Sequence, residues 1–179
     1  MAEITPEAHV LVQVIRDRFP AQPVPPYPPM MGQDPSGDDE YARFANTPWN
    51  EVAPKHLSSW GYDISPAIGF KLFTPPHMWN YYVPAFLVGS LLHEEEFEIT
   101  DGFVWTLRDI ELKTERLADS NLPWWHGKTH FGNYSIAQCE TVLRFLRIIR
   151  DCGPERPYQY DWSDEDDVML QRWEDYGSG

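Results

Sequence analysis

Cations are scarce in this sequence, and so are cysteines. Among 179 residues there are 14 Lys or Arg against 28 Asp or Glu, a formal net charge of −14 at pH 7. Phosphate binding needs a basic footprint, so the charge argues against direct contact with duplex DNA or RNA. An anionic membrane surface is disfavoured for the same reason. The two cysteines, Cys139 and Cys152, fall near opposite ends of one predicted helix. At about 1.5 Å of rise per residue they stand roughly 20 Å apart, too far for a disulfide. That suits a reducing compartment. The sequence MAEITPEAHV has no basic region followed by an apolar stretch, so no secretory signal is expected. The most apolar segment, Met78 to Leu92, contains Asn80, two tyrosines and Pro84, and is too short and too polar to span a bilayer. The expectation is a cytoplasmic, soluble protein with no membrane partner and no cofactor.

Catalytic signatures of high specificity are also missing. There is no G-x-S-x-G, no cysteine in a local family signature and no glycine-rich loop to cradle phosphate. His126 and His130 are four apart, a spacing that places two zinc ligands on one helix face. Gly127 between them, with Pro123 and Gly132 nearby, argues against a regular helix, and no neighbouring Glu completes a zinc-hydrolase pattern. No metal site is expected. Adjacent acids occur at Asp38-Asp39-Glu40, Glu94-Glu95-Glu96 and Asp164-Glu165-Asp166-Asp167. Acid–base work needs one carboxyl in an apolar setting so that the pKa values separate, whereas runs of acids are normally solvated. Asp38-Asp39 is the best exception, because Tyr41 and Phe44 follow at once. With Tyr81, Tyr82 and His126 it forms the basis of an alternative reading, a hydrolase-type enzyme. Against it stands the simpler role of charging a helix N-terminus.

Aromatic residues, by contrast, are abundant. They make up 15% of the chain, with eight Trp, inside a hydrophobic fraction of 42%. A disordered acidic tail lacks such residues, so the chain folds. Its length suits one domain over 1–179. Thr5-Pro6, Thr47-Pro48, Ser65-Pro66 and Thr74-Pro75 each put a hydroxyl at a helix N-cap and proline at the first helical position. Ser135 to Gln138 fits a capping box. Helices are predicted over Pro6 to Arg18, Asp38 to Ala45, Pro48 to Trp60, Pro66 to Phe73, Pro75 to His93 and Ile136 to Cys152. A short one carries Phe103, Val104 and Leu107. An acidic one, from about Asp164 to Tyr176, lies in the C-terminal stretch 161–176. Between Pro20 and Pro35 seven of sixteen residues are proline, which predicts a non-helical connection over 20–36, either packed on the surface or serving as a docking segment. The Pro75 to His93 segment is apolar almost all round and reads as the buried centre of the domain. Pro84 inside it removes the hydrogen bond to the Asn80 carbonyl and predicts a kink there. No run alternates with period two. The expected fold is all-α, a single-domain bundle of six to eight helices around the kinked central helix.

The acids are unevenly placed. Asp161 to Asp175 holds seven acids and one arginine, and Asp34 to Glu51 five acids and one arginine. A solubility surface is the simplest account of such runs. The functional account is a face complementary to a basic partner, since opposed potentials speed association and select partners. Trp124 and Trp125 in a Gly/Pro-containing loop, and Trp162 beside the last acidic run, are the aromatic anchors such a face would use.

Three segments together carry a resemblance. The first is Tyr27-Pro28, Gly37-Asp38-Asp39 and Trp49. The second is Ser65 to Leu91, with Phe73-Thr74-Pro75 and Tyr81-Tyr82-Val83-Pro84-Ala85-Phe86-Leu87. The third is Ser135 to Asp151, with Leu143-Arg144-Phe145-Leu146. In this order they resemble a bacterial family of domains of unknown function, the DUF6714 type. The resemblance implies an α-helical single domain in a bacterial or phage setting and brings no catalytic residues.

The leading expectation is an acidic binding protein that neutralises a basic protein partner, in particular an immunity protein occluding a bacterial toxin. The residues expected to meet the partner are Asp38, Asp39, Glu40, Trp124, Trp125, Asp161, Trp162, Asp164, Glu165, Asp166 and Asp167. A third reading, a nucleic-acid mimic that blocks a DNA-binding protein, uses the same acids.

Overall fold

The computed structural model describes residues 5–26, 46–58, 67–68, 76–97, 99–108, 134–152 and 160–178. Every regular element among them is helical, and no strand occurs among the described residues, so the fold class is all-α. In chain order the elements are α1 (Pro6–Arg18), a 3-10 turn (Trp49–Glu51), α2 (Pro54–Ser58), α3 (Pro76–Phe97), α4 (Thr100–Leu107), α5 (Ile136–Cys152) and α6 (Asp164–Ser178). No helix among the described residues is long and apolar enough to cross a membrane.

The predicted side-chain caps are seen at the starts of α1 and α5. Thr5 Oγ1 accepts from the Ala8 amide at 3.2 Å, and Pro6 takes the first position of α1. At α5 the capping box closes in both directions: the Ser135 amide donates to Gln138 Oε1 at 2.9 Å, and the Gln138 amide to Ser135 Oγ at 3.3 Å. α5 spans the predicted range, and its apolar stripe of Cys139, Val142, Leu143, Leu146 and Ile149 is buried, widened by Phe145 and Ile148. Cys139 and Cys152 are both free.

Two expectations change. The helix predicted from Pro48 to Trp60 is broken: the 3-10 turn ends at Glu51, and α2 starts afresh at Pro54. Pro54 has no N–H to continue the earlier ladder, and its ring pushes Ala53 out of the helical region. At the end of α3 the acids do not stop the helix. The helix predicted from Pro75 to His93 runs on through Glu94, Glu95 and Glu96 to Phe97, because Glu is a good helix former. Glu140 of α5 meets Arg18 of α1 at 3.2 Å. The predicted helices over Asp38 to Ala45 and Pro66 to Phe73 fall outside the described residues, apart from the helical pair 67–68.

α3 packs against α1, the 3-10 turn, α2 and α4, while α5 packs against α1 and α6. An aromatic row ties the elements together. Trp79 lies on Phe86 at 5.5 Å, Phe86 stacks on Phe103 of α4 at 5.6 Å and 14°, and Phe103 meets Phe145 of α5 at 5.6 Å. Gly89 lets α2 come close. A Cβ there would lie 2.8 Å from Leu57 Cδ1 and 3.0 Å from Ile99 Cδ1.

Helix α3 continues through Pro84, whose missing N–H leaves the Asn80 carbonyl without its helical donor. The Tyr134 hydroxyl supplies a replacement, donating to the Asn80 carbonyl oxygen at 3.3 Å. The Tyr134 ring meets Phe19 edge-on at 5.6 Å. Tyr134→Phe should therefore lower stability by about 1 kcal/mol, the usual net worth of one hydrogen bond. In a Pro84→Ala background, where an N–H is restored, the cost should shrink. Urea unfolding of the four proteins of this cycle checks both values.

Candidate partner-binding surface

Helix α6 and the residues that lead into it form the site the sequence singled out most strongly. Ser163 precedes the first residue of α6, and the Asp166 carboxylate reaches back to it, the return half of a capping box. The Ser163 amide donates to Asp166 Oδ2 at 2.9 Å and the Ser163 hydroxyl to the same oxygen at 2.8 Å. Tyr160 donates its hydroxyl proton to that oxygen at 3.0 Å. The other oxygen, Oδ1, accepts from Arg108 Nε at 2.8 Å. Asp166 is thus fully buried with both oxygens engaged. Burial alone would raise its pKa. The hydrogen bonds from Arg108, Ser163 and Tyr160 outweigh that and hold the carboxyl below its ordinary value. Burial likewise works against the Arg108 charge, and the bonds to Asp166 and Tyr160 hold its pKa above the usual value.

This corrects one expectation. Asp166 does not belong to an exposed acidic face; it is an internal brace whose lone pairs are used inside the protein. Its neighbours differ. Asp161, Asp164 and Asp167 are exposed. Glu165 is exposed too, and accepts from Arg108 Nη1 at 2.6 Å. Among the described residues Asp161 and Asp164 take part in no ion pair or hydrogen bond, whereas Asp167 accepts the Trp162 indole N–H at 2.9 Å. Trp162 is half-buried, edge-on to Tyr160 at 6.1 Å. Its ring is therefore held in one place among three exposed carboxylates. Trp105 on α4 and Val168 on α6 are exposed apolar side chains, 44% and 57% accessible. Each lies one turn from a partner of the Arg108–Glu165 bridge, on the same helix.

The body of α6 is anchored behind this surface. Met169, Leu170, Trp173 and Tyr176 are buried. The Trp173 indole N–H donates to the Leu107 carbonyl at the end of α4, at 3.1 Å. Arg147 of α5 pairs with Glu174 at 2.7 Å. The acidic face is thus mounted on a helix fixed at its start by Arg108 and along its length by apolar packing.

Asp38, Asp39, Glu40, Trp124 and Trp125 lie outside the described residues, as do His126 and His130. Tyr81 and Tyr82, named for the enzyme reading, are both engaged with backbone. Tyr81 donates to the Ala21 carbonyl at 2.6 Å and accepts from the Trp49 amide at 3.3 Å. Tyr82 donates to the Thr47 carbonyl at 2.9 Å. Burial raises both phenol pKa values, so neither hydroxyl is set up to ionise near neutrality. The two tyrosines pin residues 21 and 47–49 to α3. Among the described residues no group of three or more His, Cys, Asp or Glu is placed to hold a metal ion.

The sequence reading missed Arg108 and Tyr160. A signal for Asp166 was present in the Ser163-x-x-Asp166 spacing, which matches a capping box. The Arg108 partner is 58 residues away in sequence, and no local pattern marks it. Comparison with protein-family models, with curated proteins and with solved structures finds no match to this chain.

Proposed function

We propose that this protein is an acidic binding protein that neutralises a basic protein partner, and that the partner is a bacterial toxin held off by an immunity protein. The observation that carries the reading is the surface at the start of α6. Asp161, Asp164, Glu165 and Asp167 are exposed around Trp162, which is already held by Asp167. Asp161 and Asp164, in water and without an ion pair among the described residues, are open to a partner's cations, and Glu165 shares its charge with Arg108. A prefixed aromatic ring costs little entropy to bury, which makes it a good anchor. Trp105 and Val168 extend the apolar part of the surface. The mechanism is occlusion. Lys and Arg that a toxin uses for its own substrate would meet these acids, and Trp162 would lose its water in the contact. A stable complex of this sort buries about 1,600 Å² in total.

The proposal extends to the setting and the architecture. A bacterial, cytoplasmic location rests on the resemblance to the DUF6714-type domains and on the reduced cysteines. The fold is taken as one domain of six to eight helices about α3, bent at Pro84. Co-expression of this protein with the product of the neighbouring gene tests the partner. A 1:1 complex that dissociates as salt is raised is the expected result, because surface ion pairs are screened. No co-elution with any neighbouring product would overturn the proposal.

A further inference from the structure

A cavity of about 170 Å³ lies where α1, the 3-10 turn, α2 and α3 meet. Its wall is formed by the Trp49 ring with Val52, Leu57, Val88 and Leu92, and Arg16 of α1 stands at its edge. The site lies apart from the acidic face of α6 and is independent of the function proposed above.

Two observations point to the kind of molecule it takes. Arg16 is exposed and makes no ion pair and no hydrogen bond among the described residues. This is so although Asp17 follows it and Glu51 lies in the adjoining turn; Asp17 accepts from Gln13 instead. In a chain with 28 acids against 14 cations, such a guanidinium beside the cavity is a positive charge left available. Second, Trp49 is 3% accessible and its indole N–H is buried without an acceptor. A buried donor left unsatisfied costs free energy that an acceptor brought in by a ligand would recover. The lining combines apolar side chains, Val52, Leu57, Val88 and Leu92, with polar surface around Arg16 and Asn50. It therefore suits a small molecule with one apolar group, a single ring or a branched chain, and one polar end.

We propose that this cavity binds a small monocarboxylate with one apolar ring or branched chain. The apolar body sits against Val52, Leu57 and Val88, and the carboxylate lies between Arg16 and Trp49. One oxygen accepts from the guanidinium in a charge-assisted bond, and the other supplies the acceptor that the Trp49 indole N–H lacks.

Phenylacetate and phenylacetamide are the probes. They share the ring and differ in charge. The readout is the Trp49 indole N–H resonance in a ¹H–¹⁵N spectrum of the full chain, assigned by its loss in Trp49→Phe. Phenylacetate should shift that signal saturably, with a Kd on the order of 1 mM for so small a ligand. Phenylacetamide should bind about tenfold more weakly, and Arg16→Gln should weaken phenylacetate by about the same factor. Arg16 is on the surface, so the variant keeps the fold and an unchanged spectrum elsewhere. Val88→Phe, which fills the cavity, should abolish the shift for both probes. The proposal is overturned if phenylacetate gives no saturable shift, if the amide binds as well as the acid, or if Arg16→Gln binds phenylacetate like the wild type.

Discussion

Replacing Asp166 with Asn should lower the stability of the protein by about 2–4 kcal/mol, although the side chains are nearly the same size. The buried carboxylate takes a bond from Arg108, one from Tyr160 and two from Ser163. An Asn offers one acceptor oxygen and places an NH₂ against donors. Arg108 is then left facing a neutral group. Breaking a buried pair costs about 3–5 kcal/mol, and the figure is reduced here because Arg108 keeps contact with water and with Glu165. For a chain of this length the melting temperature should fall by about 5–15 °C.

The same carboxyl should govern acid unfolding. Its folded pKa is depressed relative to the unfolded chain. Its contribution is therefore complete above the ordinary carboxylate range, near pH 4, and is lost as pH falls through the lower folded value. Wild-type stability should drop below about pH 4 more steeply than that of Asp166→Asn. Parallel thermal scans of the two proteins from pH 7 downward show whether the curves converge as they should.

Trp173→Ala should be the most damaging single truncation on α6. The ring is fully buried, it adjoins Tyr134 at 6.2 Å and Tyr176 at 6.3 Å, and its N–H satisfies the Leu107 carbonyl. Removing a buried Trp costs about 3–5 kcal/mol through lost apolar burial and the cavity left behind, and here a carbonyl loses its donor as well. Because Trp173 holds α6 against α4, the loss should be local before it is global. Limited proteolysis should cut the variant within 160–178 under conditions in which the wild type is uncut. Equal protection of both proteins would show that α6 is held by something other than this ring.

The sequence made some of this legible and hid the rest for physical reasons. α1 and α5 could be placed because both start on a side-chain cap and both carry an apolar stripe at helical spacing. Those signals are local, and local signals are what one sequence contains. Pro54 was also a local signal, and it outweighs the Thr47-Pro48 start that suggested one longer helix. The Glu94–Glu96 run carries no signal for a helix end, since Glu is itself a good helix former. The acidic run at Asp164–Asp167 was harder. Four consecutive acids look equivalent in sequence, but on a helix they point in four directions. Asp166 turns inward to Arg108, which the chain brings from α4, while Asp164, Glu165 and Asp167 stay in water. Only the tertiary fold distinguishes brace from surface. It also explains why the surface acids are well placed: the inward acid fixes the helix that carries them.

The account rests on the claim that the exposed acids of α6 meet a basic protein. Asp161 and Asp164 are the residues to change, since both are exposed and neither is used internally. Charge reversal at both, Asp161→Lys with Asp164→Lys, should cost little stability, about 1–2 kcal/mol at most from the helix dipole at the start of α6. The decisive measurement is growth of cells expressing the neighbouring gene's product, the toxin under this proposal, scored with the wild type and with this double variant. The account predicts that the wild type rescues growth and co-elutes with the toxin, and that the folded double variant does neither. Rescue by the double variant as full as by the wild type, or no rescue by the wild type, would contradict it.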